Sequence, residues 1–202
     1  MNIMNYKVFV DELDTIDLDT KKVVNTINPH SYIIAKSDTH FTEALQGSDI
    51  LIPDGSGLVL AAKQIYKKNI KKIAGSDLHN FLLKKMNEKG GKIFYMGASK
   101  NTLDKIKERI KLEYSNVIVE SYSPPFKLDF SKEEDDVIIS KINAFKPDIL
   151  FIGMTAPKQE KWLHQHKAKL NFKVASSIGA VFNFYAGTIP RPSQFWLDLH
   201  LE

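Results

Sequence analysis

Asp54 stands in the tripeptide Pro53-Asp54-Gly55, directly after the apolar run 49–52. A carboxylate held on a tight turn at a strand end has the form of a general base, able to take a proton from a hydroxyl nucleophile in a fixed direction. The same tripeptide is also an ordinary turn in which Asp bonds its own backbone, so the local sequence leaves both readings open. Gly97-Ala98-Ser99 follows the apolar run 92–96 and precedes a helical pattern from Thr102. A glycine there could bring helix N-terminal amides up to a phosphate, or could simply make a strand-to-helix turn. Gly153 opens a further polar loop, Gly153-Met154-Thr155-Ala156-Pro157-Lys158-Gln159, whose donors and acceptors suit a sugar or a nucleotide.

Other chemistries fare worse. The chain has no Cys, which excludes thiolate zinc sites, thiol nucleophiles and disulfides. Neither G-x-G-x-x-G nor G-x-x-x-x-G-K-[ST] is present, which weighs against a nicotinamide dehydrogenase and a P-loop enzyme. Gly55-Ser56-Gly57 lacks the G-x-S-x-G elbow of a serine hydrolase. Asp17-Leu18-Asp19 has a spacing that some sugar-nucleotide transferases use for a divalent metal, but acids beside Thr20 at a helix start account for it better. His164 and His166 point to different sides of a predicted helix and read as surface imidazoles, not a chelating pair. Glu133 to Asp136 reads as first-turn helix charge. Phe182, Phe184 and Tyr185 read as core in preference to cleft wall.

These residues need a scaffold. With 202 residues and 43% hydrophobic content, the chain can bury one sizeable core. Strands are expected at 6–10, 23–26, 49–52, 92–96, 117–122, 148–153 and 174–178. Helices are expected at 31–45, 58–66, 77–87, 102–112, 131–144 and 157–169, with a short one from Ser193. Pro29 biases Asn28 away from helix, and Ser131 with Glu134 has capping-box spacing. Strands alternating with helices predict an α/β fold, a Rossmann-like, mostly parallel sheet flanked by helices in a single domain. Continuous apolar strands fit a sheet covered on both faces. Ligands of such sheets bind beyond the carboxyl ends of the strands, where the polar loops lie.

The net charge of +4 is mild. It suits a phosphate-bearing ligand or an anionic membrane, and the scattered basic residues lack the interleaved aromatics of an RNA-binding sheet, so no nucleic-acid partner is expected. No run of about 18 apolar residues is present. The start of the chain reaches acidic residues before a signal-peptide core could form, so a cytoplasmic location is expected.

Several segments, taken together, resemble the bacterial WecB/TagA/CpsF glycosyltransferases (glycosyltransferase family 26). They are Asn25-Thr26-Ile27-Asn28-Pro29-His30, 48–55, 73–78, Ala156-Pro157-Lys158-Gln159-Glu160-Lys161-Trp162, 179–182 and Gly187-Thr188-Ile189-Pro190-Arg191-Pro192. The resemblance implies inverting transfer of a sugar, such as N-acetylmannosamine, from a UDP donor to a sugar on undecaprenyl diphosphate, without a metal or other cofactor. It assigns the catalytic base to Asp54 and substrate contacts to Thr26, Asn28 and Gln159. Lys72 stands where the family has Arg, which keeps the charge but loses the bidentate fork. Gly97, Gly153 and Lys158 are expected to border the nucleotide. The family usually continues with a Trp- and Arg-rich membrane-touching appendage. Residues 1–202 are therefore expected to be one catalytic domain without it, peripheral to the inner membrane face, with homo-oligomer formation left open. A UDP-sugar epimerase and a non-catalytic nucleotide-binding module are the alternatives.

Overall fold

Parallel pairing organises the chain. In the computed structural model, which describes residues 1–190, six strands lie in the order β4-β3-β8-β7-β5-β6, each neighbouring pair parallel. They are β3 (Lys22–Ile27), β4 (Ile50–Pro53), β5 (Lys92–Gly97), β6 (Ile118–Tyr122), β7 (Ile149–Gly153) and β8 (Val174–Ser177). The expected α/β architecture is the one observed. Ahead of the sheet, β1 (Asn2–Ile3) and β2 (Tyr6–Lys7) form an antiparallel pair. The strand expected at 6–10 is shorter because Val8 N bonds Met1 O and Phe9 N turns to Leu51 O. The helix expected from Ser193, and Arg191-Pro192 of the last motif, lie outside the described residues.

Alternation along the strands explains why they are apolar throughout. Ile93 and Tyr95 enter one buried cluster with α4 (Gly75–Lys89), α5 (Lys100–Glu113) and α8 (Gly179–Ala186). Phe94 and Met96 enter the cluster on the other face, with α6 (Lys132–Phe145) and α7 (Lys158–His166). A third cluster joins α1 (Pro29–Ala35), α2 (Thr39–Gln46) and α3 (Ser56–Tyr66) to the β1–β2 pair. With helices on both sides, consecutive strand residues are both buried.

Capping decides where helices begin. Asn28 is extended, and its Oδ1 accepts from Ser31 N at 2.9 Å, while Pro29 sits in the first turn. Ser131 and Glu134 form the expected capping box. The single helix expected at 31–45 is two helices. Asp38 is extended and accepts from Phe41 N at 2.9 Å, so it ends one helix and caps the next. The helix α8 was hidden in the sequence by its aromatic content. Phe182 and Tyr185 are buried in the core, as expected, and Phe184 is half-buried. His166 corrects the surface reading: it is buried beside Trp162, with Nε2 3.2 Å from Asp135 Oδ2.

Two glycines allow a close approach at the carboxyl end of the sheet. Gly97 and Gly153 pair in register. Gly97 has φ +117°, and a Cβ there would lie 2.4 Å from Gly153 O. A Cβ on Gly153 would lie 2.3 Å from the Phe182 ring. Gly153→Ala is therefore expected to cost about 1–3 kcal/mol through overpacking. Thermal unfolding followed by circular dichroism should show Tm falling by roughly 2–4 °C for each kcal/mol lost. An unchanged Tm would mean that Phe182 does not press on this position.

Candidate active site

The register of β3 and β4 creates the site. Ile27 is the Cα partner of Pro53, and Asp54 N donates to Ile27 O at 2.9 Å. Asn28 and Asp54 therefore leave the sheet side by side, both half-buried. Gly55 has φ +90°, a conformation that favours glycine, and its ideal Cβ position is 3.5 Å from Asn28 Cβ and from Pro29 Cδ. The two turns are thus packed on one another. Thr26 sits one register step below, opposite Ile52, and is half-buried.

Lys72 arrives from further along the chain. After α3 the backbone returns, and Ile73 N donates to Pro53 O at 3.0 Å. This places half-buried Lys72 next to the Asp54 turn. Helix α4 begins immediately afterwards, with Asp77 Oδ2 accepting from Ala74 N at 2.9 Å. On the far side of Gly97, Ser99 caps α5 by accepting from Thr102 N at 3.2 Å. The N-terminal ends of α4 and α5 both lie at this edge, and their partial positive charges favour an anion there. A polar chain links α5 to α8: Ser99 bonds Thr102, Thr102 Oγ1 donates to Asn183 Oδ1 at 3.4 Å, and Thr188 Oγ1 donates to the same oxygen at 3.2 Å.

Gln159 is buried, and its amide is engaged within the protein. Its Oε1 accepts from Met154 N and Gly179 N, both at 3.1 Å, and its Nε2 donates to Glu160 Oε1 at 2.8 Å. This side chain ties the exit of β7 to the first residue of α8. Glu160 is also buried, its Oε2 has no hydrogen-bond partner, and burial raises its pKa to about 7. The amides beside the two glycines are likewise used: Ala98 N donates to Gly153 O and Met154 N to Gln159. Gly97 and Gly153 thus shape the edge, while the Ala98 and Met154 amides beside them are engaged within the protein. Lys158 is turned toward another loop, where its Nζ donates to Lys127 O and lies 3.7 Å from the centroid of the Phe130 ring. It lines a groove of about 840 Å³ with His40, Asp135, Lys161 and Trp162, rather than packing beside the Asp54 turn.

The Asp17-Leu18-Asp19 triplet precedes β3 and so lies at the opposite end of the sheet from Asp54. It begins no helix. Asp17 accepts from Asp19 N and Thr20 Oγ1, which lowers its pKa, and Asp19 lies 3.6 Å from both Lys89 and Lys173. Among the described residues, no group of three His, Asp or Glu gathers that could hold a metal ion.

Three polar residues important to the edge had not been singled out from residue types alone. Asn25 is buried in mid-strand, where Oδ1 accepts from Ser177 N at 3.2 Å and Nδ2 donates to Ser48 Oγ at 3.0 Å. An amide inside the apolar run Val23-Val24-Asn25 was a readable signal of such a cross-strand role. Asn183 carried no comparable signal, because Thr102 is distant from it in sequence, and Glu160 carried none, because its burial comes from tertiary packing.

A parallel α/β sheet with a carboxylate, polar turns and helix N-termini at its carboxyl edge belongs to the class whose ligands sit beyond the strand ends, and the helix ends there suit an anionic one. The comparison with known proteins makes this specific. The chain belongs to the WecG/TagA/CpsF family of glycosyl transferases, whose model matches residues 1–202. It is 31% identical over 196 residues to a protein of Bacillus spizizenii named N-acetylglucosaminyldiphosphoundecaprenol N-acetyl-beta-D-mannosaminyltransferase, covering 96% of this chain and 74% of that one. Proteins of the same name from Bacillus subtilis and Staphylococcus aureus are 28% and 26% identical over 200 residues. Those alignments cover 98% and 99% of this chain and 76% and 75% of theirs. No described helix is long and apolar enough to cross a membrane.

Glu160 and buried His79 make opposite contributions to pH stability. Burial lifts the Glu160 carboxyl from the ordinary 4.5 to about 7 in the folded protein. Its contribution is complete below pH 4.5 and is lost as pH rises through 7, by about 3 kcal/mol in all. His79, bonded to Tyr95 OH at 2.7 Å, has a pKa lowered by burial from 6.5 to about 3, so it destabilises the fold as pH falls below 6.5. Glu160→Gln should therefore raise Tm at pH 8 and leave it near that of the parent at pH 4.5. Equal Tm values at pH 8 would show that Glu160 ionises without a penalty.

Proposed function

We propose that this chain is an inverting transferase that moves N-acetylmannosamine, or a close relative, from a UDP donor onto N-acetylglucosamine carried on a polyprenyl diphosphate. The observation that supports it most is the side-by-side placement of Asp54 and Asn28 on paired strand ends, with Lys72 returned to the same turn. In this reading Asp54 takes the proton of the acceptor hydroxyl as its oxygen attacks the anomeric carbon. The new glycosidic bond forms as the bond to the β-phosphate oxygen breaks on the opposite face. UDP departs with that electron pair, and the proton stays on Asp54.

The leaving diphosphate then needs positive charge that is already oriented. Lys72 and the N-terminal ends of α4 and α5 supply it, and no metal is required by this scheme. Thr26 and Asn28 orient sugar hydroxyls, the Asn28 amide being held in one direction by its capping bond to Ser31. Gln159 acts as a positioning residue, through the backbone it ties together. Because the acceptor is a membrane lipid, the reaction takes place at a membrane surface.

Asp54→Asn is expected to lower kcat by about 10²–10⁴-fold, with UDP affinity in calorimetry unchanged. Near-normal transfer by that variant to a lipid-linked acceptor would refute the assignment. Lys72→Ala should raise the donor KM by roughly 10–100-fold, the size of a lost charge-assisted bond. Treatment with EDTA should leave the rate as it was. UDP release that continues without acceptor would favour an epimerase or hydrolase instead.

A further inference from the structure

Strand β3 keeps one neighbour to its end and loses the other. Its pairing with β4 runs to Ile27, opposite Pro53, whereas its register with β8 is carried by Lys22 with Val174 and Val23 with Ala175. Strand β8 stays on β7 as far as Ser177, opposite Ile152. The sheet therefore parts between β3 and β8, at the carboxyl edge that holds Asp54. The crossovers explain why. After β3 the chain passes to α1 and α2, and α2 packs on α7. After β8 it passes to α8, which lies on the other face in the cluster with α4 and α5. Adjacent parallel strands whose helices leave to opposite faces open a crevice at their carboxyl ends.

A side chain bridges this parting. Carried two residues further, the β3–β8 register would set Asn25 opposite Ser177. There, in place of a ladder bond between backbones, Asn25 Oδ1 accepts from Ser177 N at 3.2 Å. Asn25 Nδ2 donates to Ser48 Oγ at 3.0 Å, and that hydroxyl donates to Ala44 O at 3.1 Å. Asn25 is 1% exposed, so its amide is held by the protein and not by water. The next two amides of the β8 exit are taken in turn. Ile178 N donates to Ile152 O at 2.9 Å, and Gly179 N donates to Gln159 Oε1 at 3.1 Å. Asn25 thus holds the exit from the β3 side, and Gln159 holds it from α7. Alternation sets Asn25 with Val23 on the α7 face and the next residue, Thr26, with Val24 on the α8 face.

We propose that Asn25 is a positioning residue for sugar transfer. Its amide sets the separation of β3 from the β8 exit, and with it the distance from Thr26 and Asn28 to the start of α8. This rests on the transferase reading, in which Thr26 and Asn28 orient sugar hydroxyls. Asn25 is buried and does not meet the ligand. It acts through the two strand ends, which shift relative to one another once its bonds to Ser177 and Ser48 are gone.

Steady-state kinetics with a UDP-sugar donor and a lipid-linked acceptor tests it, each rate being normalised to folded protein by circular dichroism. Asn25→Ala should lower kcat by about 10–100-fold, the cost of a misplacement of roughly 1 Å, while the donor KM stays within about threefold of the parent. Ile142→Val, in the core under α6, is the control for stability alone: it should lower Tm and leave kcat unchanged. Ser48→Ala removes the hydroxyl that anchors Asn25 from a half-buried position, so it folds even where Asn25→Ala does not. It should lower kcat by about 3–10-fold, the equivalent of one neutral hydrogen bond. Turnover equal to the parent's in Ser48→Ala, or in folded Asn25→Ala, overturns the proposal. A loss of kcat that Ile142→Val shares overturns it as well. A parent chain that transfers no sugar would instead refute the transferase reading, whereas an active parent matched by its variants refutes only the role of Asn25.

Discussion

All six strands of the main sheet run in one direction, and everything functional follows from that constraint. Parallel strands cannot be joined by tight hairpins, so each must be followed by a crossover that begins at the same edge. The turns after β3, β4, β5, β7 and β8 are thereby gathered at one edge, although Asn28 and Gly179 are far apart in sequence. Within this edge the register is decisive. Pairing of Ile27 with Pro53 sets the first free residue of one strand, Asn28, beside the first free residue of the other, Asp54. A slip of one residue would turn the apolar strand faces over and break the pair.

The middle of the edge is built for closeness instead of reactivity. Gly97, Gly153 and the Phe182 ring stack with no room for a Cβ, and Gln159 holds the β7 exit against α8. Polar groups in this region are mostly used internally. Glu160 Oε2 and Ser177 Oγ are exceptions, buried without a partner, and for Glu160 the charge is costly, so its proton is retained to about pH 7. Among the described residues, the N-terminal ends of α4 and α5 and Lys72 are positive features of this edge. That division separates the residues that shape the edge from those that face a ligand.

The same chain segment forms the Asp54 turn and part of the outer surface. Helix α3 leaves the Asp54 turn, packs its inner side on α1 and α2, and the backbone then comes back to Pro53 through a lysine-rich stretch. That stretch carries Lys67, Lys68, Lys71 and Lys72 and no acid, so the neighbourhood of Asp54 favours an anion.

Much of the architecture was legible in local sequence, because local rules act there. Apolar runs marked the strands, Pro29 and Asn28 marked a helix start, and the Ser131–Glu134 spacing marked another. The break at Asp38 and the helix α8 were not legible, since a capping side chain and an aromatic helix resemble ordinary helical and strand-like stretches until their partners are known. The candidate base, Asp54, was visible as a turn residue, and the joint motifs pointed to its family. What the sequence determined by itself was therefore the element types, the parallel fold class and the polar residues available at turns. Only the tertiary structure decided which of those residues meet. It set Asn28 beside Asp54 and brought Lys72 back to them. It also turned Lys158 toward Phe130 and placed the Asp17-Leu18-Asp19 triplet at the far end of the sheet. The reason is physical: side-chain type and spacing are properties of neighbours along the chain, whereas strand order and register arise from hydrogen bonds and packing between segments far apart in it.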